Sequence, residues 1–441
     1  MARGDRPRLA ALDVLHAVRA DDAYTNLALP AAIERHRLDP RDAAFTTELV
    51  SGTIRRQGTY DAVLAACVNR PLAKVDPVVL DALRLGAHQL LNMRVPPHAA
   101  ISTSVDLARA RGKTSAAGFV NAVLRKVAER DLEAWVALVA PDVATRHSHP
   151  AWVVEELRRA VGDAELEPLL AADNAPPKVT LVARPGRADR AELPGEPTPY
   201  SPYGTVLEGG NPAAVPAVAE GRAGVQDEGS QLVGLVLAVA PLEGPDRSWV
   251  DLCAGPGGKS ALLAGLAAEH GAGLVAIERQ HHRARLVASA LAGSDGVTGV
   301  LTADGTAPPL HPASADRVLV DAPCTGLGAL RRRPEARWRR TAEDLDTLVP
   351  LQRLLLAAAV ELVRPGGVVV YATCSPVLAE TSDVVTATLR ARPDVVLENV
   401  EALLPDVPDC AGPLPGTVQL WPHRHGTDAM FMALLRRNLH P

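Results

Sequence analysis

The sequence predicts a multidomain protein: an all-α helical bundle, then a small α/β connector, then an open, mostly parallel α/β sheet domain. Three observations predict it. Residues 1–130 carry apolar residues at helical spacing, interrupted by prolines. Residues 131–223 begin helical and become loop-rich, with Pro and Gly throughout 184–223. Residues 224–441 repeat a pattern of short apolar runs ending in glycines, acids or cysteines, each followed by a helix-like stretch.

In the first segment, Leu9–Val18, Phe45–Val50, Tyr60–Ala65, Val79–Leu91 and Gly118–Arg125 all have helical periodicity. Pro71, Pro77, Pro96 and Pro97 fall between these runs, where a residue without an N–H and with a fixed φ belongs. In the connector, Asp131 to Leu170 reads as helices broken at His149-Pro150, and Pro177–Ala183 reads as a strand. Gln226–Gln231 opens a helix, and Asp227 and Glu228 suit its positive amino end. Five strand-like runs follow: Ser248–Val250, Ala272–Ile277, Gly299–Ala303, Arg317–Asp321 and Gly367–Ala372. Met430–Leu435 closes the series.

The stretch at 251–259, Asp-Leu-Cys-Ala-Gly-Pro-Gly-Gly-Lys, lies between an apolar run and a helix-like run. Strand, glycine turn and helix in that order let backbone amides close on a nucleotide-type ligand. A P-loop would need Gly where Cys253 stands, and a dinucleotide fingerprint would need Gly where Ser260 stands. All nine residues instead resemble the S-adenosylmethionine loop of the RNA cytosine-5 methyltransferases, the NOL1/NOP2/Sun family.

The resemblance implies a class I, Rossmann-like methyltransferase domain and S-adenosylmethionine as cofactor. It assigns the cofactor to Cys253, Ala254, Gly255, Pro256, Gly257, Gly258 and Lys259, with Cys253 given no chemistry of its own. Glu278 stands about 20 residues past the loop, where a carboxylate accepts hydrogen bonds from ribose hydroxyls; the family more often has Asp there. Asp304 would hold the adenine amino group, although Asp304-Gly305 taken alone is only a turn signal. Asp321 would contact both cofactor and target cytosine.

Two cysteines follow strand ends, in Ala322-Pro323-Cys324-Thr325 and Thr373-Cys374-Ser375-Pro376. Carbon-5 of cytosine is a poor nucleophile until a thiolate adds at carbon-6. A thiolate suits this because it attacks near neutral pH and leaves again. By resemblance Cys374 is the nucleophile and Cys324 assists product release. DNA cytosine-5 methyltransferases use a Pro-Cys pair as nucleophile, which keeps Cys324 as the rival. Cys67 and Cys410 are expected to be small buried hydrophobes.

Residues 331–340 hold six arginines and one acid. Arg331, Arg332, Arg333 and Arg337 are expected to meet an RNA backbone. Trp421–Asp428 resembles the family's closing motif, with Ala429 where Gly is usual, a change expected to stiffen the turn. His423 and His425 are two apart and lack companion cysteines, so no metal is expected. The strings Leu83–Leu91, Val95–Ala100 and Gly118–Arg125 resemble the NusB-like RNA-binding domain, which implies that the bundle delivers RNA.

Charge agrees with that division of labour. Residues 1–130 carry a net +6 and the remainder −11, within a total of −5. No amino-terminal signal is expected, because no apolar core follows Met1–Arg6, and the longest apolar run, Leu232–Leu242, is too short to span a membrane. Two cysteines needed as thiols fit a reducing cytoplasm. The expected enzyme methylates a cytosine of small-subunit ribosomal RNA and requires neither metal, membrane nor more than a monomer. The alternatives are the same chemistry on transfer RNA, and a non-catalytic RNA-binding or antitermination factor.

Overall fold

A computed structural model describes residues 5–439. The chain forms two compact units. The first comprises the described residues up to Glu155, with Ala164–Ala175 and Leu330–Arg339; the second comprises Glu156–Asp163, Pro176–Ala329 and the residues from Arg340 on.

The first unit is helical. Its main elements are α1 (Arg6–Ala20), α2 (Thr25–Arg35), α3 (Pro40–Arg55), α4 (Gln57–Cys67), α5 (Pro77–Leu91), α6 (Pro97–Ala110), α7 (Ala117–Val127), α8 (Leu132–Val139) and α9 (Val143–His147). The prolines start helices as well as separate them. Pro40, Pro77 and Pro97 each occupy the first helical position, where the missing N–H is no loss and the fixed φ suits the helix. Asp39 and Asp76 cap the helices α3 and α5 by accepting first-turn amides. One core gathers Tyr60, Leu64, Leu83, Val120 and Leu124; another gathers Leu12, Leu49, Val50, Ile54 and Leu85. The unit continues past residue 130 because Trp135 of α8 packs into the first core and donates from Nε1 to the Val127 carbonyl at 2.9 Å.

Leu330–Arg339 completes this unit, and here the arginine expectation is corrected. Arg337 is fully buried. Its guanidinium donates to the carbonyls of Arg55, Ser148 and Asp173 and to Oδ1 of Asn174, at 2.8–3.3 Å. Burial pulls its pKa down to about 10. Arg331 is buried too, and its carbonyl accepts from Arg55. Neither side chain faces solvent, so neither can meet a phosphate. Arg333 is exposed and Arg332 partly so. Glu335 accepts from the amide and hydroxyl of Thr25, and Trp338 donates to the Ile54 carbonyl.

The second unit carries two sheets. Four short strands, β1 (Val179–Ala183), β2 (Glu196–Pro197), β3 (Gly204–Leu207) and β4 (Ala223–Val225), form an antiparallel sheet in the order β2-β3-β1-β4. The large sheet uses β5 (Ser248–Asp251), β6 (Gly273–Glu278), β7 (Val297–Thr302), β8 (Ala315–Asp321), β9 (Val363–Thr373), β10 (Val395–Glu398), β11 (Val418–Gln419) and β12 (Phe431–Arg437). Its order is β7-β6-β5-β8-β9-β12-β10, with β11 paired to β12. The five strands from β7 to β9 are parallel, and β12 runs antiparallel between β9 and β10.

Side-chain alternation explains why both faces are covered. Val368, Val370 and Ala372 of β9 face a core with Leu232, Val236, Leu262 and Leu263. Val369 and Tyr371, one residue out of phase, face Leu355, Leu356, Val384 and Val385. The first core holds α10 (Glu228–Val239) and α11 (Gly258–Glu269); the second holds α12 (Asp344–Leu362) and α13 (Ser382–Ala391). Asp227 caps α10 through the amide of Gly229, and the same carboxylate accepts from the amide of Asp428. Among the described residues no helix is long and apolar enough to cross a membrane.

Candidate active site

The expected cysteines and carboxylates, unlike the arginines, lie at the carboxyl edge of the large sheet. Asp251, Glu278 and Asp321 each end a strand, and Cys374 follows the last residue of β9. Register holds them level: Asp251 lies beside Ala276 and Leu319, and Asp321 beside Ala372. The central strands β5, β8 and β9 thus present their ends at the point where open α/β sheets bind ligands.

The 251–259 turn has a physical reason for its glycines. Gly257 sits at φ +110° just before α11, and a Cβ there would stand 2.7 Å from Ala290 Cβ. A Cβ on Gly255 would stand 2.0 Å from Glu278 Oε2. Gly258 meets nothing within 4 Å, so the outer face of the turn is open. Arg283 stitches the turn to the β6 end: its Nη2 donates to the Gly255 carbonyl at 2.6 Å and its Nε lies 3.7 Å from Glu278.

Asp251 opens the 251–259 stretch, and nothing in the sequence marks its part in the site. It is fully buried; Oδ2 accepts from Ser260 Oγ at 2.7 Å and Oδ1 from the Cys253 amide at 3.2 Å. It braces both sides of the turn. Burial, opposed by the Ser260 hydrogen bond, raises its pKa to about 6. Burial also pushes the Cys253 thiol well above its ordinary value, helped by the acids around it, so Cys253 is a poor nucleophile.

Glu278 is buried with Oε1 accepting from the Gln280 amide at 2.9 Å. Asp304 is exposed; its Oδ1 accepts from the amide and hydroxyl of Thr306, which lowers its pKa. Lys259 Nζ lies 2.8 Å from Asp321 Oδ2. Burial opposes the charge on Lys259, but the Asp321 carboxylate more than offsets it and its pKa rises.

Cys324 Sγ and Cys374 Sγ are 3.5 Å apart, and both residues are partly exposed. The hydrogen bond with Cys374 is the main reason that the Cys324 pKa lies well above the usual thiol range. Burial and the charges of Cys374 and Glu380 add to it. Two thiols this close share a proton when one ionises. Cys67 and Cys410 are buried. Ala429, where Gly was usual, is not at a positive φ; its amide donates to the Gly328 carbonyl at 2.8 Å, so alanine fits without strain. His425 spends both ring nitrogens on the backbone, one accepting from Trp421 N and the other on the Pro408 carbonyl.

The model of the 16S rRNA methyltransferase RsmB/F family matches residues 236–436, and that of the NusB family matches residues 5–129. A Pseudomonas putida ribosomal RNA small subunit methyltransferase B is 35% identical over 88% of this chain and 89% of its own. The chain belongs to the RsmB/F methyltransferase family. Over 98% of its length this family member is also 50% identical to the Mycobacterium tuberculosis (strain H37Rv) protein named "Putative methyltransferase Rv1407", 97% of which is covered. Its fold matches the crystal structure of PH0851 with a TM-score of 0.82 at 24% identity, covering 99% of both chains. NSun6 from Pyrococcus horikoshii with SFG matches with a TM-score of 0.56 at 19% identity, over 66% of this chain and 99% of that one.

Proposed function

We propose that this RsmB/F family member transfers a methyl group from S-adenosylmethionine to carbon-5 of a cytosine in small-subunit ribosomal RNA. The observation that carries this reading is the pair of sulfurs 3.5 Å apart beside the Lys259–Asp321 pair. Two thiols so placed reach the adjacent carbons 5 and 6 of one pyrimidine. The names of the small-subunit relatives support the choice of RNA.

Gly255, Gly257 and Gly258 with the backbone of 253–259 would hold the cofactor. Glu278 would take the ribose hydroxyls, Asp304 the adenine amino group, and Asp321 would touch cofactor and base. The residues fit: the turn is open at Gly258, and carboxylates stand at the ends of β6 and β8, on either side of β5. When bound, the cofactor supplies an electrophilic methyl on a sulfonium.

Cys374, as thiolate, adds to carbon-6 and forms a carbon–sulfur bond. Carbon-5 then has enamine character and takes the methyl. Cys324, its own proton lost to solvent, takes the carbon-5 proton; the carbon–sulfur bond breaks, the ring double bond returns and the Cys374 thiolate is regenerated. The geometry times this step. Once Cys374 is bonded to the base, its negative charge is gone and its sulfur is only a weak acceptor for the Cys324 proton. The Cys374 charge and hydrogen bond are two of the causes that hold the Cys324 proton on. Cys324 is then more ready to ionise.

The test uses labelled S-adenosylmethionine and total RNA from cells lacking the protein. Wild type should label small-subunit RNA and Cys374→Ala should label none. Cys324→Ala should accumulate a protein–RNA adduct. An adduct with Cys374→Ala instead would reverse the two cysteine roles. Label confined to transfer RNA would move the substrate, and no label in any RNA would favour a binding factor.

A further inference from the structure

Glu380 was not singled out by any motif, yet one buried carboxylate grips the residue after each cysteine. Glu380 ends the short turn Leu378–Glu380 between β9 and α13 and is fully buried. Its Oε1 accepts from the Thr325 amide at 2.8 Å and from Gln352 Nε2 at 3.0 Å. Its Oε2 accepts from Thr325 Oγ1 at 2.5 Å and from Ser375 Oγ at 2.6 Å. The two hydroxyls are themselves 3.0 Å apart. Thr325 follows Cys324 and Ser375 follows Cys374.

The remaining contacts leave this carboxylate little freedom. Tyr371 of β9 donates to the Glu380 carbonyl at 2.7 Å. Gln352 of α12 also donates to the Pro323 carbonyl at 2.9 Å. Cys324 is therefore flanked by Pro323, held through Gln352, and Thr325, held through Glu380. The Cys374 carbonyl accepts from the Gly328 amide at 2.9 Å, a second tie between the same two loops. A fully buried acid is costly unless well hydrogen-bonded. The four hydrogen bonds that this one accepts all come from neutral groups on the two cysteine loops and on α12.

We propose that Glu380 is a positioning residue: it fixes the register of the Cys324 and Cys374 loops so that both sulfurs address one pyrimidine ring. The inference rests on the cytosine-5 reading for its catalytic meaning, but the register itself can be measured without RNA.

The experiment compares wild type with Glu380→Ala, Glu380→Gln and the pair Thr325→Val with Ser375→Ala. Three quantities are measured: steady-state methylation, melting temperature, and the rate at which diamide, a two-electron thiol oxidant, closes a Cys324–Cys374 disulfide without RNA or cofactor. Displacing reacting groups by about 1 Å costs roughly 100-fold in rate, so kcat of Glu380→Ala should fall by about that much. KM for RNA should stay within about twofold, as expected for loss of an interaction made only in the transition state. Disulfide closure should slow in parallel. Glu380→Gln, which keeps the shape, should lie between Glu380→Ala and wild type in both. The Thr325→Val, Ser375→Ala pair should reproduce Glu380→Ala, and combining all three should add little. Should Glu380→Ala not fold, Glu380→Gln and the hydroxyl variants carry the same test. A lowered melting temperature with unchanged kcat and unchanged disulfide closure would overturn the proposal. Slowed closure in a protein whose wild type methylates no cytosine would support the register and sink the reaction assignment instead.

Discussion

At the scale of single residues, charge buried beneath the 251–259 turn is the unusual feature. Asp251 is fully buried and its pKa is raised to about 6 from 3.8. The sign follows from linkage. Below pH 3.8 the carboxyl is protonated in both folded and unfolded chains, and burial of charge costs nothing. Between 3.8 and about 6 the unfolded chain ionises first, so stability falls as pH rises. Above about 6 the whole penalty is present, about 3 kcal/mol at 1.36 kcal/mol per unit. Asp251→Asn keeps an acceptor for Ser260 and does not titrate. Its stability relative to wild type should therefore improve by about 3 kcal/mol between pH 3.5 and pH 7, read from denaturant midpoints across that range. A pH-independent difference would mean that Asp251 ionises in the fold as easily as in the unfolded chain.

At the scale of elements, the turn between β5 and α11 was legible because Gly257 is demanded locally, by a positive φ just before the helix. The cysteine loops were legible for the same reason: each follows its own strand. What could not be read is what depends on partners distant in sequence. Arg283 reaches back to Gly255, and Glu380 reaches back to Thr325, and neither stands in a recognisable spacing. Arg337 shows the cost of local reading. In sequence it lies in a basic patch, but its partners are at 55, 148, 173 and 174. Arg337→Ala should lower stability by about 3–5 kcal/mol, since it strips buried carbonyls of their donor. Arg333→Ala, at an exposed position, should leave the melting temperature unchanged. Equal melting curves for the two variants would contradict the burial of Arg337.

At the scale of the whole molecule, charge is unevenly distributed, with +6 over residues 1–130 and −11 over the rest. If the basic third engages RNA phosphates, the KM for RNA should climb steeply with salt while affinity for the cofactor stays nearly flat. Arg333→Ala should reduce the slope of log KM against log salt by about 1 if it touches a phosphate. An unchanged slope would take Arg333 out of the interface, leaving Arg332 to be tested alone.

The interleaving of the chain has a consequence for biosynthesis. The helical unit is made first, and early domains ordinarily finish folding while the remainder is still being synthesised. This one cannot. Its last piece, Leu330–Arg339, emerges only after most of the catalytic sheet has been translated. Until then the carbonyls of Arg55, Ser148 and Asp173 await the guanidinium that Arg337 will bring. Sealing of the bundle by Arg337 thus follows synthesis of four of the five parallel strands.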